Sequence, residues 1–267
     1  MKTFTEPAKL QAWCRRQKAS GRKIALVPTM GYLHEGHLSL IAAAKRKLAD
    51  EIVVSIFVNP VQFGPNEDFE KYPRDEKADL KKCRDAGVSA VFLPTPEMMY
   101  LENHSVYIDE ERLSRGLCGG RRPGHFRGVC TVVAKLFNLA HPDFAVFGQK
   151  DFQQAQVIKR MVRDLNFDLE IVVAPIVREK SGLAKSSRNT YLSEREREMA
   201  LAISAGLREF KSLAALRRRL EKAGLKVDYV ECVDSEILEP RKRPGKGCTI
   251  LGAAFAGSTR LIDNRIL

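Results

Sequence analysis

Short apolar runs alternate with helical patterns through the first two thirds of the chain. The runs are rich in β-branched and aromatic residues, which predicts buried strands at 24–27, 52–58, 89–93, 144–147 and 169–173. Helical patterns lie between them, at about 37–45, 75–86, 129–140 and 153–165. This order predicts an α/β fold, a Rossmann-like parallel sheet with helices on both faces.

The pattern changes after Pro175. Two helical stretches, 193–211 and 213–223, precede short strands at 227–233, 249–254 and 260–262. We therefore expect two domains, 1–176 with the parallel sheet and 177–267 as a smaller α+β domain.

Composition narrows the class of protein. The 267 residues are 44% hydrophobic, and no apolar run is long enough to span a membrane. The first residues lack the apolar core of a signal peptide, and the six scattered cysteines form no Cys-x-x-Cys pair. We expect free thiols, no membrane association and a cytoplasmic location.

The net charge of +12 is compatible with nucleic acid or with a small anionic substrate. The basic residues at 208–222 and 241–246 lack the repeatedly interleaved aromatic residues that stack on bases, and Phe210 is the single aromatic residue in these two ranges. A solvated basic face is the favoured interpretation, so no nucleic-acid partner is expected.

The most informative segment is residues 28–37, where the first long strand turns into a helix. His34 and His37 lie three residues apart, so both rings can share one face of the first helical turn. Gly31 and Gly36 allow the backbone to approach a ligand, and a helix N-terminus attracts anions. A polyphosphate site is predicted. The alternatives are an inconsequential surface pair or a stray metal pair.

Four further polar segments follow predicted strands or precede helices. One is the basic, glycine-containing loop 121–128, which is suited to closing over an anion, although many basic loops are only solvated. Asn59 and Gln62 offer amide groups suited to a hydroxy acid, although Asn-Pro also nucleates simple turns. Residues 147–154 and 185–189 carry cations suited to phosphates; the plainer interpretations are a helix cap at Asp151 and a polar linker. Together the segments match an adenylyl transfer that activates a carboxylate, because the positive charge of the histidines, lysines and arginine stabilises the charge that builds on the phosphates.

The chain resembles the pantothenate synthetase (pantoate–β-alanine ligase) family of His-x-x-His nucleotidyltransferases. The resemblance is carried by segments between residues 28 and 189, in the family's order: 28–40, 57–64, 67–68, 72–74, 122–137, 147–154 and 178–189. It implies a ligase that condenses (R)-pantoate with β-alanine through a pantoyl adenylate, releasing pyrophosphate and AMP. ATP is the implied co-substrate, with Mg²⁺ held mainly by its phosphates.

The resemblance also assigns roles to residues. His37, His34 and Lys150 are the implied catalytic residues, and Gln62, Gln154 and Asn59 the implied contacts of pantoate and β-alanine. The implied ATP site comprises Met30, Gly31, Tyr32, Leu33, His34, Glu35, Gly36, His37, Gly148, Gln149, Lys150, Asp151, Val177, Lys185, Ser186, Ser187 and Arg188.

The resemblance further implies a homodimer in which 1–176 binds nucleotide and pantoate and 177–267 forms a lid. Ser181 stands where the family commonly has Asp, next to the 185–188 loop. Two competing hypotheses remain: a nucleotidyltransferase acting on another small acid, and a basic nucleic-acid-binding protein.

Overall fold

A computed structural model describes residues 1–65 and 67–267 as two compact units. The first unit comprises 1–149 and 157–174, and the second comprises 150–156 and 175–267. The strands are β1 (Lys2–Phe4), β2 (Ile24–Thr29), β3 (Glu51–Ile56), β4 (Ala90–Phe92), β5 (Phe144–Gly148), β6 (Glu170–Ala174), β7 (Lys226–Asp234), β8 (Cys248–Ala256) and β9 (Thr259–Ile266). The α-helices are α1 (Pro7–Ala19), α2 (Glu35–Arg46), α3 (Glu76–Asp85), α4 (Pro96–Met99), α5 (Leu117–Arg121), α6 (His125–Ala140), α7 (Phe152–Asp164), α8 (Glu194–Arg208) and α9 (Leu213–Lys222).

The first unit contains a fully parallel sheet with strand order β1-β4-β3-β2-β5-β6. The chain adds β3 and β4 on one side of β2, and then β5 and β6 on the other. The order therefore reverses between β2 and β5, and ligands of open α/β sheets bind beyond the carboxyl ends of the strands at such a point.

The sheet is buried on both faces, which explains its continuous apolar runs. All four residues of Ile24–Val27 are fully buried. Ala25 and Val27 join a core cluster with Leu40 and Ile41 of α2, whereas α1 and α6 contact β2 and each other. The predicted α/β fold with covering helices is confirmed.

The second unit is built on the antiparallel sheet β7-β8-β9. In its core, Ile203 and Leu207 of α8 pack with Leu216 and Leu220 of α9. The predicted small α+β region is thus present, and its last strand, β9, is longer than the sequence pattern indicated.

Two elements at the start of the chain were not predicted, the edge strand β1 and helix α1. Strand β1 is only three residues long and pairs with β4. Helix α1 buries Leu10, Trp13 and Cys14 and is otherwise largely polar. The part of the chain that the structure describes contains no helix long and apolar enough to cross a membrane.

The six cysteines are free thiols, as predicted, and all six are buried. Burial raises the pKa of the Cys14, Cys83 and Cys130 thiols to about 12. These groups therefore remain thiols at neutral pH and are poor nucleophiles.

Candidate active site

The two histidines begin helix α2, directly beyond the carboxyl end of β2. His34 is the N-cap residue, and its Nδ1 accepts a hydrogen bond from the Gly36 N–H at 3.1 Å. His37 lies one turn along, and its Nδ1 accepts the His34 N–H at 3.2 Å. Each ring thus satisfies a backbone donor that the helix itself leaves without an intrahelical acceptor.

These hydrogen bonds decide which nitrogen of each ring carries the hydrogen. A nitrogen that accepts a hydrogen bond has no hydrogen, so in this arrangement His34 and His37 carry theirs on Nε2. The ring centroids are 4.1 Å apart, a separation at which two full positive charges would repel each other. In this arrangement both rings are therefore neutral.

The turn before the helix is held in an unusual backbone conformation. Gly31 and Tyr32 have positive φ values of 85° and 49°. A Cβ at Gly31 would lie 3.0 Å from Ile56 Cγ2 and 3.1 Å from Asp79 Oδ2, so glycine is required by both conformation and space. Lys82 on α3 donates to the Leu33 carbonyl at 2.6 Å. A side chain of helix α3 thus holds the backbone of the turn that precedes α2.

Gln62 and Asn59 lie in the 3-10 turn after β3, and both are buried. The Asn59 amide donates to Gln62 Oε1 at 3.2 Å, and the Gln62 amide reaches Met30 Sδ at 2.9 Å. Met30, Asn59 and Gln62, which the sequence separates, are therefore in one connected group within the first unit. Asn59 is only 1% exposed, and its amide is bonded to its neighbours in the fold.

A second network holds the backbone of Gln62. Arg122 donates through Nε and one terminal nitrogen to the two oxygens of Glu67, each at 2.6 Å. Its other terminal nitrogen lies 3.0 Å from His125 Nε2, and His125 Nδ1 lies 2.9 Å from the Gln62 carbonyl. Because a guanidinium can only donate, His125 accepts at Nε2 and donates from Nδ1 to Gln62.

The ion pair with Arg122 affects the pKa of the Glu67 carboxyl. Burial acts to raise its pKa, but the hydrogen bonds and charge of Arg122 outweigh burial and hold the pKa below its ordinary value. The cation of Arg122 is therefore engaged by Glu67 and by the Gln62 turn. At Arg122, the basic segment 121–128 therefore has a structural role.

Of the remaining predicted ATP-site residues, Gly148 ends β5 and Gln149 follows it in the first unit, whereas those from Lys150 onward belong to the second unit. Lys150 and Asp151 lie in a 3-10 turn ahead of α7, with Lys150 Nζ 3.6 Å from Asp151 Oδ1. The Lys150 carbonyl accepts from Asn264 Nδ2 at 3.1 Å, which attaches this turn to β9. Gln154 follows on α7 and is partly exposed.

The loop at 185–188 is attached to the preceding segment at its start and is closed by a local hydrogen bond. The Lys185 N–H donates to the Val177 carbonyl at 2.9 Å, and Ser186 Oγ accepts from the Arg188 N–H at 3.3 Å. Ser187 is buried, whereas Ser181 is exposed and its Oγ is 3.5 Å from the Leu183 nitrogen. Serine at this position adds a polar turn contact and no charge.

The residues fit a Mg²⁺ ion that is held mainly by phosphates. Among residues 1–65 and 67–267, no group of three or more His, Cys, Asp or Glu side chains is arranged to hold a metal ion. Mg²⁺ bound to a nucleotide needs only one or two protein carboxylates, and the Asp151 carboxylate is 47% exposed.

Sequence reasoning missed two residues that shape this site, Asp79 and Tyr100. Asp79 is buried beneath the 31–33 turn, and Tyr100 donates to Asn59 Oδ1 at 2.8 Å. Each lies far along the chain from the residue it contacts, so no local pattern points to it.

The chain matches the Pantoate-beta-alanine ligase family over residues 2–266. It belongs to this family. Among curated relatives, the pantothenate synthetase of Myxococcus xanthus is 52% identical, covering 96% of this chain and 93% of the relative. That of Thermosipho africanus is 50% identical and covers 100% of both chains.

Solved structures of the pantoate–β-alanine ligase family share this fold over the full chain. The Thermus thermophilus pantothenate synthetase has a TM-score of 0.91 at 42% identity, covering 99% of both chains. A Francisella tularensis pantoate–β-alanine ligase, complexed with "Beta-gamma ATP and Beta-alanine", has a TM-score of 0.88 at 34% identity, covering 100% of this chain and 97% of its own. The family resemblance noted in the sequence is confirmed.

Proposed function

We propose that this ligase joins pantoate to β-alanine in two steps. In the first, a pantoate carboxylate oxygen attacks the α-phosphorus of ATP, forming pantoyl adenylate and releasing pyrophosphate. In the second, the β-alanine amine attacks the acyl carbon, AMP leaves and the nitrogen loses a proton. The observation that carries the proposal is the pair of histidines, His34 and His37, at the N-terminus of α2. The pair lies beyond the carboxyl end of β2, where the strand order of the sheet reverses.

His34 and His37 stabilise the phosphates by donating hydrogen bonds. With Nδ1 of each ring accepting a backbone N–H, both rings keep a donor at Nε2. The helix N-terminus adds its own N–H groups and partial positive charge. A carboxylate nucleophile carries no proton to remove, so His37 need not act as a base in the first step.

The proposed source of full positive charge is a set of three side chains, Lys150, Lys185 and Arg188. Lys150 neutralises charge on the phosphates, and Lys185 and Arg188 bind the pyrophosphate portion. Mg²⁺, when bound, screens the phosphate oxygens and orients them for in-line attack. Asp151 is the proposed protein ligand of that ion.

Gln62 is the proposed contact for pantoate. Its Oε1 accepts from Asn59, which leaves the amide nitrogen as the group that faces a ligand. In this structure that nitrogen faces the thioether of Met30, a weak acceptor that a carboxylate or hydroxyl oxygen can replace. Gln154 is the proposed second contact.

Three further features are proposed on the family resemblance. These are a lid role for residues 177–267, a homodimer and a cytoplasmic location. Six free cysteines agree with a reducing compartment.

Exchange of labelled pyrophosphate into ATP tests the first step. We expect exchange that depends on pantoate, and an absence of pantoate-dependent exchange would overturn the proposal. A panel of other small hydroxy acids separates pantoate from other acids, because a nucleotidyltransferase with a different substrate would respond better to another member of the panel.

Lys150→Ala examines the proposed phosphate contact in the same assay. The rate of exchange should fall by at least about 100-fold if the lysine stabilises charge that develops in the transition state. Lys159→Ala removes an exposed lysine of α7 and serves as the matched control. Equal rates for the two variants would remove Lys150 from the mechanism.

A further inference from the structure

Tyr100 lies at the start of a chain of side-chain hydrogen bonds that ends at Gln62. The phenol donates to Asn59 Oδ1 at 2.8 Å, and Asn59 Nδ2 donates to Gln62 Oε1 at 3.2 Å. The same Asn59 nitrogen donates to the Gly128 carbonyl at 3.1 Å. Asn59 is 1% exposed and Gln62 is 8% exposed, so these polar groups depend on one another for partners.

The direction of every hydrogen bond in this chain is fixed. The Gly128 carbonyl can only accept, so the nitrogen end of the Asn59 amide must face it. The oxygen end of Asn59 then faces Tyr100, whose phenol must donate. Burial raises the pKa of the Tyr100 phenol above its ordinary value, so the group keeps the proton that it donates.

This direction is transmitted to Gln62. Because Gln62 Oε1 accepts from Asn59, the amide cannot turn over without placing two donors against each other. Its nitrogen is consequently held toward Met30 Sδ, at 2.9 Å. The network thus presents a hydrogen-bond donor, and the matching ligand atom is an acceptor such as a carboxylate or hydroxyl oxygen.

We propose that Tyr100 is a positioning residue of the pantoate site, which acts through Asn59 to hold the Gln62 amide nitrogen toward the acid. This inference rests on the proposed contact between Gln62 and pantoate. In this role the Tyr100 hydroxyl donates to Asn59 and not to the acid. Its hydroxyl sets the orientation of an amide two residues further along the network, and so favours an acid with an acceptor at that point.

The ring of Tyr100 is held independently of its hydroxyl, which makes a selective test available. Its centroid is 6.4 Å from that of Phe57 and 5.0 Å from that of His104. Lys135 Nζ lies 5.7 Å from the same centroid. Tyr100→Phe should therefore keep the packing and remove only the donor to Asn59.

Steady-state kinetics of the full-length enzyme test the proposal. For Tyr100→Phe we expect the KM for pantoate to rise about tenfold, the effect of one lost buried hydrogen bond. The KM values for ATP and β-alanine should stay within about twofold, as a purely structural defect would not select one substrate. Tyr107→Phe makes the same change on a partly exposed neighbouring ring and should leave all three values unchanged.

A double-mutant cycle then asks whether Tyr100 acts through Asn59. In an Asn59→Ala background the network is already broken, so Tyr100→Phe should add less than about twofold. Effects that multiply would overturn the proposal, as would a Tyr100→Phe enzyme with an unchanged KM for pantoate. If Asn59→Ala does not fold, Asn59→Ser supplies the background.

The outcomes separate this inference from the proposed function. A wild-type enzyme without pantoate-dependent pyrophosphate exchange overturns the function, and the role of Tyr100 with it. An active wild type with an unaffected Tyr100→Phe variant overturns only the role of Tyr100.

Discussion

The Asp79 carboxylate accepts the backbone N–H of Leu33 at 2.7 Å, although the two residues are 46 positions apart in sequence. Its other oxygen accepts the Tyr32 N–H, also at 2.7 Å. Tyr32 has a φ of 49°, a conformation that costs a bulky residue free energy unless its surroundings enforce it. Asp79 therefore maintains the turn that delivers His34 to the start of α2.

Asp79→Asn should weaken the first step of the reaction. Asparagine has one acceptor oxygen, so either the Tyr32 or the Leu33 N–H would face an amide nitrogen instead. We expect pantoate-dependent pyrophosphate exchange to fall by at least about tenfold, because a misplaced turn moves the histidine donors. The measurement is the exchange rate at saturating ATP and pantoate.

Asp75→Asn is the matched control for this prediction. Asp75 is the N-cap of the same helix and accepts from the Ala78 N–H, a role that asparagine performs about equally well. Exchange by this variant should be unchanged. If both variants behaved alike, the Asp79 contacts would have no part in ordering the site.

The sequence predicted the α/β fold because parallel strands buried on both faces leave clear apolar runs, such as 52–58. It did not predict α1, although Leu10, Trp13 and Cys14 have the spacing of a helical face. The apolar face of α1 is narrow, because most of the other residues of the helix are basic or polar, and the helical pattern is therefore weak. The α2 histidines were identifiable because a strand-to-helix turn is a local feature.

The supporting residues were not identifiable for a physical reason. Asp79 and Tyr100 act through contacts that exist only after the chain has folded. Neither residue lies in one of the polar segments that the sequence analysis identified. The protonation pattern of His34 and His37 was equally hidden, because it depends on backbone N–H directions. The sequence therefore points to candidate ligand-binding groups, whereas the side chains that hold those groups in place are found only in the folded structure.

Gly128→Ala should damage the Gln62 turn. A Cβ at this position would lie 2.5 Å from the Val61 carbonyl oxygen and 2.7 Å from Gln62 N and Cα, all backbone atoms. The turn must shift to admit the methyl group, at a cost of about 1–3 kcal/mol in the free energy of unfolding. The kcat/KM for pantoate should fall by at least about tenfold, since the shift displaces the proposed contact.

Kinetics with varied pantoate and a thermal unfolding curve check this prediction together. Gly245→Ala is the control, because its added Cβ would meet nothing within 4 Å. Normal pantoate kinetics in Gly128→Ala would mean that the Gln62 turn tolerates displacement and is not needed for binding the acid.

Glu67→Gln should lower stability at neutral pH but not in acid. The folded-state pKa of Glu67 lies below its ordinary value of 4.5, so the ion pair with Arg122 contributes fully above about pH 4.5. That contribution is lost as the pH falls through the folded-state pKa. We expect the free energy of unfolding of the variant to be about 2 kcal/mol lower than that of the wild type at pH 7. This difference should shrink below about pH 4.5.

Urea unfolding of both proteins between about pH 3.5 and 8 measures the difference. Glu70→Gln, at a neighbouring exposed glutamate, should show little change at any pH. A difference for Glu67→Gln that stayed constant to the acid end of this range would contradict the assignment, because an uncharged glutamic acid cannot form the bidentate ion pair.

His37→Ala should abolish most of the first step while the protein stays folded. The variant loses the Nε2 donor proposed for the phosphates and the acceptor of the His34 N–H, which costs about 1 kcal/mol of helix capping. Loss of one donor to developing phosphate charge should lower exchange by about 100-fold or more. Ser39→Ala, which removes a hydrogen bond to the Gly36 carbonyl on the same helix, is the control and should retain activity.

His37→Gln sharpens the same prediction, because glutamine retains a neutral N–H donor. If His37 acts by donating a hydrogen bond, this variant should recover part of the exchange activity lost in His37→Ala. If a positive charge were required, the glutamine variant should be as inactive as the alanine variant. Full activity in His37→Ala would exclude the residue from the mechanism, whatever the behaviour of glutamine.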